Sequence, residues 1–287
     1  MLTISDILRP GHSSMMILPH LRYCTEEVIE KFLSEKLRKI EAKGFVLGVS
    51  GGIDSAVVLR LCTRAVGKDR VLALLMPEKD SPHGDFDDSV KLCKREGVEY
   101  KVIDISGPVE SIKESIKGKV DRKSLANIKA RCRMIILYHY ANAEGRLVVG
   151  TSNKSETLVG YFTKYGDGAA DLEPIMDLYK TEVWELARKM KLPKKIIDKA
   201  PSAGLWKGQT DEGEMGITYK RLDAILYGIE QGLDKKEIAE RAETSTREVA
   251  RVDRMIRMSS HKRKTPPAAK IGLRTPGLDW REGDEDI

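Results

Sequence analysis

Apolar residues along this chain follow two alternating periodicities. Val28, Ile29, Phe32, Leu33, Leu37 and Ile40 recur at helical spacing, with Thr25 placed to cap the helix and Gly44 to end it. Phe45-Val46-Leu47-Gly48-Val49 is a short apolar run that predicts a buried strand. Ala56 to Val66 is apolar nearly all round, as expected of a helix buried against a sheet. The alternation then repeats. Arg70 to Met76 predicts a second strand, 84–97 a helix, and Tyr100 to Ile105 a third strand. Asp121 to Ala143 carries Leu125, Ile128, Cys132, Ile135 and His139 on one stripe, which predicts a long amphipathic helix before a fourth strand at Leu147 to Gly150.

Strands alternating with helices of this length imply parallel βαβ units, so the expected fold class is α/β with a doubly wound parallel sheet. Beyond residue 174 the pattern is helical, near 179–191, 218–230, 234–243 and 246–258. From Ser259 the chain turns basic and then acidic, ending Glu282-Gly283-Asp284-Glu285-Asp286. The expected organisation is one domain over 1–258, with an α/β core at about 44–175 and a helical portion at about 176–258, then a tail at 259–287.

Composition narrows the classes. With 41% hydrophobic and 33% charged residues among 287, the chain can build a core and is neither disordered nor low-complexity. No apolar run approaches the ~18 residues a membrane helix needs. Met1 to Pro10 lacks the charged-then-apolar pattern of a secretory signal, so a soluble, cytoplasmic protein is expected. Lys plus Arg number 50 against 44 Asp plus Glu, a net charge of +6 that suits a nucleotide and is compatible with RNA. The four cysteines form no Cys-x-x-Cys pair, and Cys62 and Cys132 fall within apolar helical patterns as small core residues of a reducing compartment. Only three Asn and two Gln accompany the many charges, a composition that resembles a thermophile's.

The strongest chemical signal is Gly48-Val49-Ser50-Gly51-Gly52-Ile53-Asp54-Ser55, between the first strand and the buried helix. Adjacent glycines let the backbone turn tightly and present successive N–H groups, and the following helix adds its N-terminal dipole. Ser50 and Ser55 add hydroxyls. Asp54 would repel phosphates unless a cation such as Mg²⁺ lay between them. The loop lacks the lysine of Gly-x4-Gly-Lys-Ser/Thr and is not Gly-x-Gly-x-x-Gly, which disfavours P-loop kinases and Rossmann dinucleotide sites. It resembles the Ser-Gly-Gly-x-Asp-Ser loop of ATP pyrophosphatases, which cleave ATP between the α and β phosphates.

A second cluster follows the fourth strand. Gly150-Thr151-Ser152-Asn153-Lys154-Ser155-Glu156 leads to Tyr161-Phe162-Thr163-Lys164-Tyr165-Gly166-Asp167-Gly168-Ala169-Ala170-Asp171, placed where open α/β sheets bind ligands. Together with the loop, this set resembles NAD synthetase, the amide-forming member of the ATP pyrophosphatases, from about Thr25 to Arg263. The resemblance implies an adenine nucleotide alpha-hydrolase-like, Rossmann-like fold. It implies that Gly48, Val49, Ser50, Gly51, Gly52, Ile53, Asp54 and Ser55 hold ATP phosphates, with Thr151, Lys180 and Ser202 as further ATP contacts. Many members have threonine where Ser202 stands. Asp54 and Glu156 become Mg²⁺ ligands, and Arg131, Lys164, Asp171, His261 and Lys262 become contacts to deamido-NAD.

The implied reaction is ATP-dependent amidation of deamido-NAD to NAD through an acyl adenylate, releasing AMP and pyrophosphate, with no protein nucleophile. The resemblance also implies a homodimer with the dinucleotide near the subunit interface. Only 47 residues precede the loop, and 203–287 contain no cysteine, so free ammonia rather than glutamine is the expected nitrogen donor. Two rivals share the loop: an RNA-modifying, thiolating ATP pyrophosphatase and a non-catalytic ATP-binding module. Nucleic acid and membrane are not expected partners. His12, His20 and His83 have no partner pattern and are taken as structural or surface residues.

Overall fold

The structure is a computed structural model that describes residues 16–79, 83–206, 208–276 and 279–280. Four parallel strands form its sheet: β1 Gly44–Gly48, β2 Val71–Leu75, β3 Glu99–Val102 and β4 Arg146–Val148, ordered β3-β2-β1-β4. Phe45 pairs with Val71 on one side and Leu147 on the other, so β1 is central and fully apolar. The chain builds outward from β1 to β3, then returns to place β4 on the opposite side. That reversal opens a crevice beyond the carboxyl ends of β1 and β4, where ligands of open α/β sheets bind.

The helices are α1 Thr25–Lys39, α2 Ile53–Val66, α3 His83–Glu96, α4 Ser106–Ser115, α5 Arg122–Glu144, α6 Lys154–Val159, α7 Lys180–Lys189, α8 Lys194–Ile197, α9 Asp211–Met215, α10 Tyr219–Glu230, α11 Lys235–Arg241 and α12 Thr246–Met258. One core joins β1 and β2 to α1, α2 and α7 through Leu33, Phe45, Leu59 and Leu186. A second lies on the other sheet face, where Val46, Leu72 and Val148 meet Ile105, Val109 and Cys132. The third packs α10, α11 and α12 through Leu222, Ile225, Ile238 and Val252. No helix among the described residues is long and apolar enough to cross a membrane.

Two patterns resolve differently from expectation. Thr25 is not the cap of α1. Cys24 precedes the helix in a left-handed turn without a capping side chain, and the Thr25 hydroxyl donates back to the Arg22 carbonyl at 2.7 Å. The helix buries Ile29, Leu33 and Leu37, while Val28 and Ile40 face outward. On α5 the buried positions are Ala126, Lys129, Ala130, Cys132 and Ala141, whereas Ile135 and His139 are exposed. Alanines let the helix lie close to its neighbours, so the inward face follows small residues rather than the largest apolar ones.

Candidate active site

β1 ends at Gly48 and the phosphate-type loop turns at once into α2. Gly51 has φ +78, and a Cβ there would lie 2.4 Å from the Asp85 carbonyl, so only glycine fits. Gly52 precedes α2 in extended geometry with no side-chain cap. The first N–H groups of the helix therefore stay available to an anion. The Ser55 hydroxyl accepts from Ser50 N–H at 3.2 Å and donates to the Gly52 carbonyl at 3.1 Å, which locks the turn.

Across the crevice, α6 and α7 bring a charged trio against this loop. Lys180 opens α7, is only 1% exposed, and donates to Asp54 Oδ2 at 2.5 Å and Glu156 Oε1 at 3.2 Å. Asn153, the cap of α6, accepts from Glu156 N–H at 3.0 Å and donates from Nδ2 to Asp54 Oδ1 at 3.1 Å. The Tyr219 hydroxyl, fully buried, lies 3.0 Å from Glu156 Oε1 and 3.1 Å from Asp211 Oδ2. Burial, with help from Asp54 and Asp211, pushes the Glu156 carboxyl up to about 7 against the pull of Lys180. Burial opposes charge on Lys180, yet Asp54 and Glu156 outweigh it and hold the ammonium above its ordinary value.

Asp54 and Glu156 thus converge on the Lys180 ammonium, and both offer hard oxygen donors. Among the described residues no group of three or more His, Cys, Asp or Glu is arranged to hold a metal. Two carboxylates with the rest of the shell left to phosphate and water is the pattern Mg²⁺ tolerates well, so these residues fit that ion.

Around the trio runs a cavity of about 960 Å³, large enough for a nucleotide. Gly48, Val49, Ser50 and Gly52 to Ser55, with Thr151, Glu156, Lys180 and Ser202, line it on the loop side. Arg131, Lys164, His261 and Lys262 line the other. Arg131 donates to the Lys164 carbonyl at 3.1 Å, and Lys164 Nζ to the His261 carbonyl at 2.8 Å. Lys262 Nζ donates to the carbonyls of Gly160 at 2.7 Å and Phe162 at 2.6 Å, so this basic segment is docked rather than free. Asp171 is the exception. It is exposed and absent from the cavity wall, and its carboxylate accepts from Val148 N–H at 2.7 Å and the Tyr138 hydroxyl at 3.2 Å.

The pattern of the NAD synthase family matches residues 25–266. The chain belongs to that family. It is 47% identical to the NH(3)-dependent NAD(+) synthetase of Pyrococcus furiosus over 86% of this chain and 95% of the relative. Among solved structures it is similar to the NMN synthetase of Francisella tularensis, with TM-score 0.77, 37% identity and coverage of 86% and 98%. It is also similar to the NH3-dependent NAD synthetase of Campylobacter jejuni, with TM-score 0.73, 34% identity and coverage of 86% and 97%.

Several residues in and around the cavity carry no motif that singles them out in sequence. Lys199 donates to the Gly51 carbonyl at 3.2 Å and pairs with Asp85 at 2.6 Å, bracing the loop from outside. Asp211 accepts from Ala203 N–H at 3.0 Å, tying the Ser202 loop to Tyr219. Asp223, fully buried, accepts from the Ser155 hydroxyl at 2.5 Å and from Thr181 N–H at 2.8 Å, so one carboxylate joins the starts of α6 and α7. Glu173 accepts from Ser152 N–H at 3.2 Å, and its Oε1 has no partner among the described residues. Burial first, then the charges of Asp167 and Glu156, push its carboxyl up to about 8 despite that backbone bond. A Cβ on Gly150 would lie 2.2 Å from Glu173 Oε1, so glycine there makes room for the acid.

Proposed function

We propose that the protein catalyses ATP-dependent amidation of deamido-NAD by ammonia, yielding NAD, AMP and pyrophosphate. The observation that carries this reading is the convergence of Asp54, Glu156 and buried Lys180 on the uncapped start of α2. A carboxylate resists displacement by ammonia because oxide is a poor leaving group. Attack by the nicotinate carboxylate on the α-phosphorus of ATP makes an acyl adenylate, from which AMP departs readily. The α2 N–H groups and Lys180 stabilise charge that develops on the pyrophosphate as it leaves. Magnesium held by Asp54 and Glu156 would supply further positive charge to the phosphate oxygens. Thr151 and Ser202 orient ATP from the opposite wall. Arg131, Lys164, His261 and Lys262 hold the dinucleotide, whose acyl end points toward the loop.

A homodimer fits the outer surface of α5. Ile135 is 59% exposed there, and Asp171 meets Tyr138 of the same helix in solvent. A dinucleotide lying near a subunit boundary could reach Asp171, which a cavity within one chain does not. Reducing, cytoplasmic surroundings agree with four free cysteines. Sulfur transfer is disfavoured by the same residues. Cys62, Cys93 and Cys132 are buried, and burial pushes the Cys93 thiol up to about 12, far from a reactive thiolate.

Purified protein with ATP, Mg²⁺, ammonium and deamido-NAD should yield NAD, AMP and pyrophosphate in equal amounts. Glutamine in place of ammonium should support little or none. ADP as the product, or nicotinate mononucleotide amidated in strong preference to deamido-NAD, would overturn the reading.

A further inference from the structure

We propose that Arg133 is a further substrate-contact residue, whose guanidinium takes an oxyanion of a bound nucleotide inside the cavity. The proposal rests on the functional reading above. Arg133 lies two positions after Arg131 on α5, and two residues turn a helix by about 200°. Arg131 therefore stands at the exposed rim while Arg133 is half-buried and directed toward the sheet, and both line the cavity. Its Nε donates to the carbonyl of Met76, just beyond the end of β2, at 3.2 Å.

The rest of the guanidinium is what calls for a ligand. Arginine carries five N–H donors in a rigid fork, and here only the Nε group has an acceptor among the described residues. Arg133 forms no ion pair among them either. Lys129, one turn earlier on the same helix, makes the contrast plain. It is 2% exposed, pairs with Glu78 at 2.7 Å and also donates to the Leu205 carbonyl at 3.0 Å. Glu78 and Asp167 favour the charge of Arg133 only from a distance. Glu78 is engaged by Lys129, and Asp167 accepts from Thr163 N–H at 2.9 Å.

A half-buried cation without a counter-ion carries a desolvation cost, which an arriving anion relieves. Burial indeed pushes the Arg133 guanidinium below its ordinary value. The planar fork matches phosphate and carboxylate oxygens in pairs, which a lysine ammonium does not. Two sources share this chemistry: the phosphates of ATP, and the nicotinate carboxylate or phosphates of deamido-NAD. The site sits beside the carboxyl end of β2, next to the β1 loop, within reach of either.

The test uses full-length Arg133→Gln and Arg133→Lys, with ATP and deamido-NAD titrated separately by calorimetry and thermal unfolding followed in parallel. Arg133→Gln is expected to weaken one of the two ligands by about 30-fold or more, the size of a lost charged contact. Arg133→Lys should recover only part of that, because a point charge cannot replace the fork. The unfolding temperature should hold or rise slightly, since an unpaired charge has been removed. A loss confined to ATP assigns the phosphates, and a loss confined to deamido-NAD assigns the carboxylate or pyrophosphate of that substrate. Wild-type affinity for both ligands in a folded variant overturns the proposal, whatever the turnover. If Arg133→Gln does not fold, Arg133→Lys alone decides by the same criterion. Wild-type protein that binds neither nucleotide would fail the functional reading itself, and the proposal with it.

Discussion

The two ends of the cavity are built on different principles. At the loop end, Lys180 is buried, Asn153 anchors the Asp54 carboxylate and Tyr219 anchors that of Glu156. The geometry is set there before any ligand arrives. At the end proposed to hold the dinucleotide, Arg131 and Lys164 are tied mainly to backbone carbonyls near solvent. Neither forms an ion pair among the described residues, which leaves both charges for phosphate or carboxylate. The contrast separates chemistry from recognition. Groups that steer bond-making need one geometry, and a buried network supplies it at low dielectric. Groups that grip a long flexible substrate can stay adaptable.

If that division holds, the largest effects belong to the loop end. Asp54→Ala and Glu156→Ala should each lower turnover by about a thousandfold or more, read as AMP formation, with native circular dichroism. Lys180→Ala should do the same and also cost about 3–5 kcal/mol of stability by denaturant unfolding, since it strands two carboxylates without their counter-ion. Near-normal turnover in any of the three would break the comparison.

Next in size are the proposed dinucleotide contacts. Arg131→Ala and Lys164→Ala should weaken deamido-NAD by about 10–30-fold in calorimetry, some 1.4–2 kcal/mol each, with ATP affinity nearly unchanged. Stability should barely move, because the exposed bonds they lose are worth little. Equal losses for both ligands would erase the distinction between the two ends.

Glu173, beside Gly150 and Ser152, gives a pH-dependent test. Its folded-state value lies near 8, above the ordinary 4.5, so the folded protein holds a proton that the unfolded chain releases. The stability it contributes is complete below about pH 4.5 and is lost as pH rises through about 8. Glu173→Gln cannot lose a proton. Relative to wild type, the variant should therefore gain stability between about pH 5 and pH 8, on the order of 1–3 kcal/mol, in unfolding temperatures measured across that range. A difference that does not change with pH would count against a protonated Glu173.

The smallest expected effect is at sulfur. Replacing all four cysteines by alanine should leave turnover within about threefold, with some stability lost at the three buried positions. Loss of activity traced to Cys24 in a folded, ATP-binding variant would favour thiolation chemistry.

The sheet, the loop and most helices were legible because each rests on local rules. A run such as Phe45 to Val49 has to be buried, and two glycines before a helix need a tight turn. What was illegible depends on contacts distant in sequence. Lys180 and Asp54 are 126 positions apart, so nothing local distinguishes Lys180 from a solvated helix lysine, and only the resemblance pointed to it. Asp211, Asp223 and Glu173 could not be picked out at all, since a lone acid gains meaning only from what surrounds it. α4 was missed for another reason. Its first turn holds Gly107 and Pro108, which signal no helix, yet proline in a first helical turn loses no hydrogen bond, and α4 begins at Ser106. The α5 stripe was misplaced because alanines carry the close contact there.

The most direct test of the account follows one oxygen atom. Deamido-NAD carrying ¹⁸O in its nicotinate carboxylate is converted with ATP and ammonium, and the products are analysed by mass spectrometry. Attack of that carboxylate on the α-phosphorus, followed by ammonia at the carbonyl, leaves one labelled oxygen in AMP and none in pyrophosphate. Label in pyrophosphate, or AMP wholly unlabelled while NAD forms, would contradict an acyl adenylate made at the Asp54–Lys180–Glu156 end of the cavity.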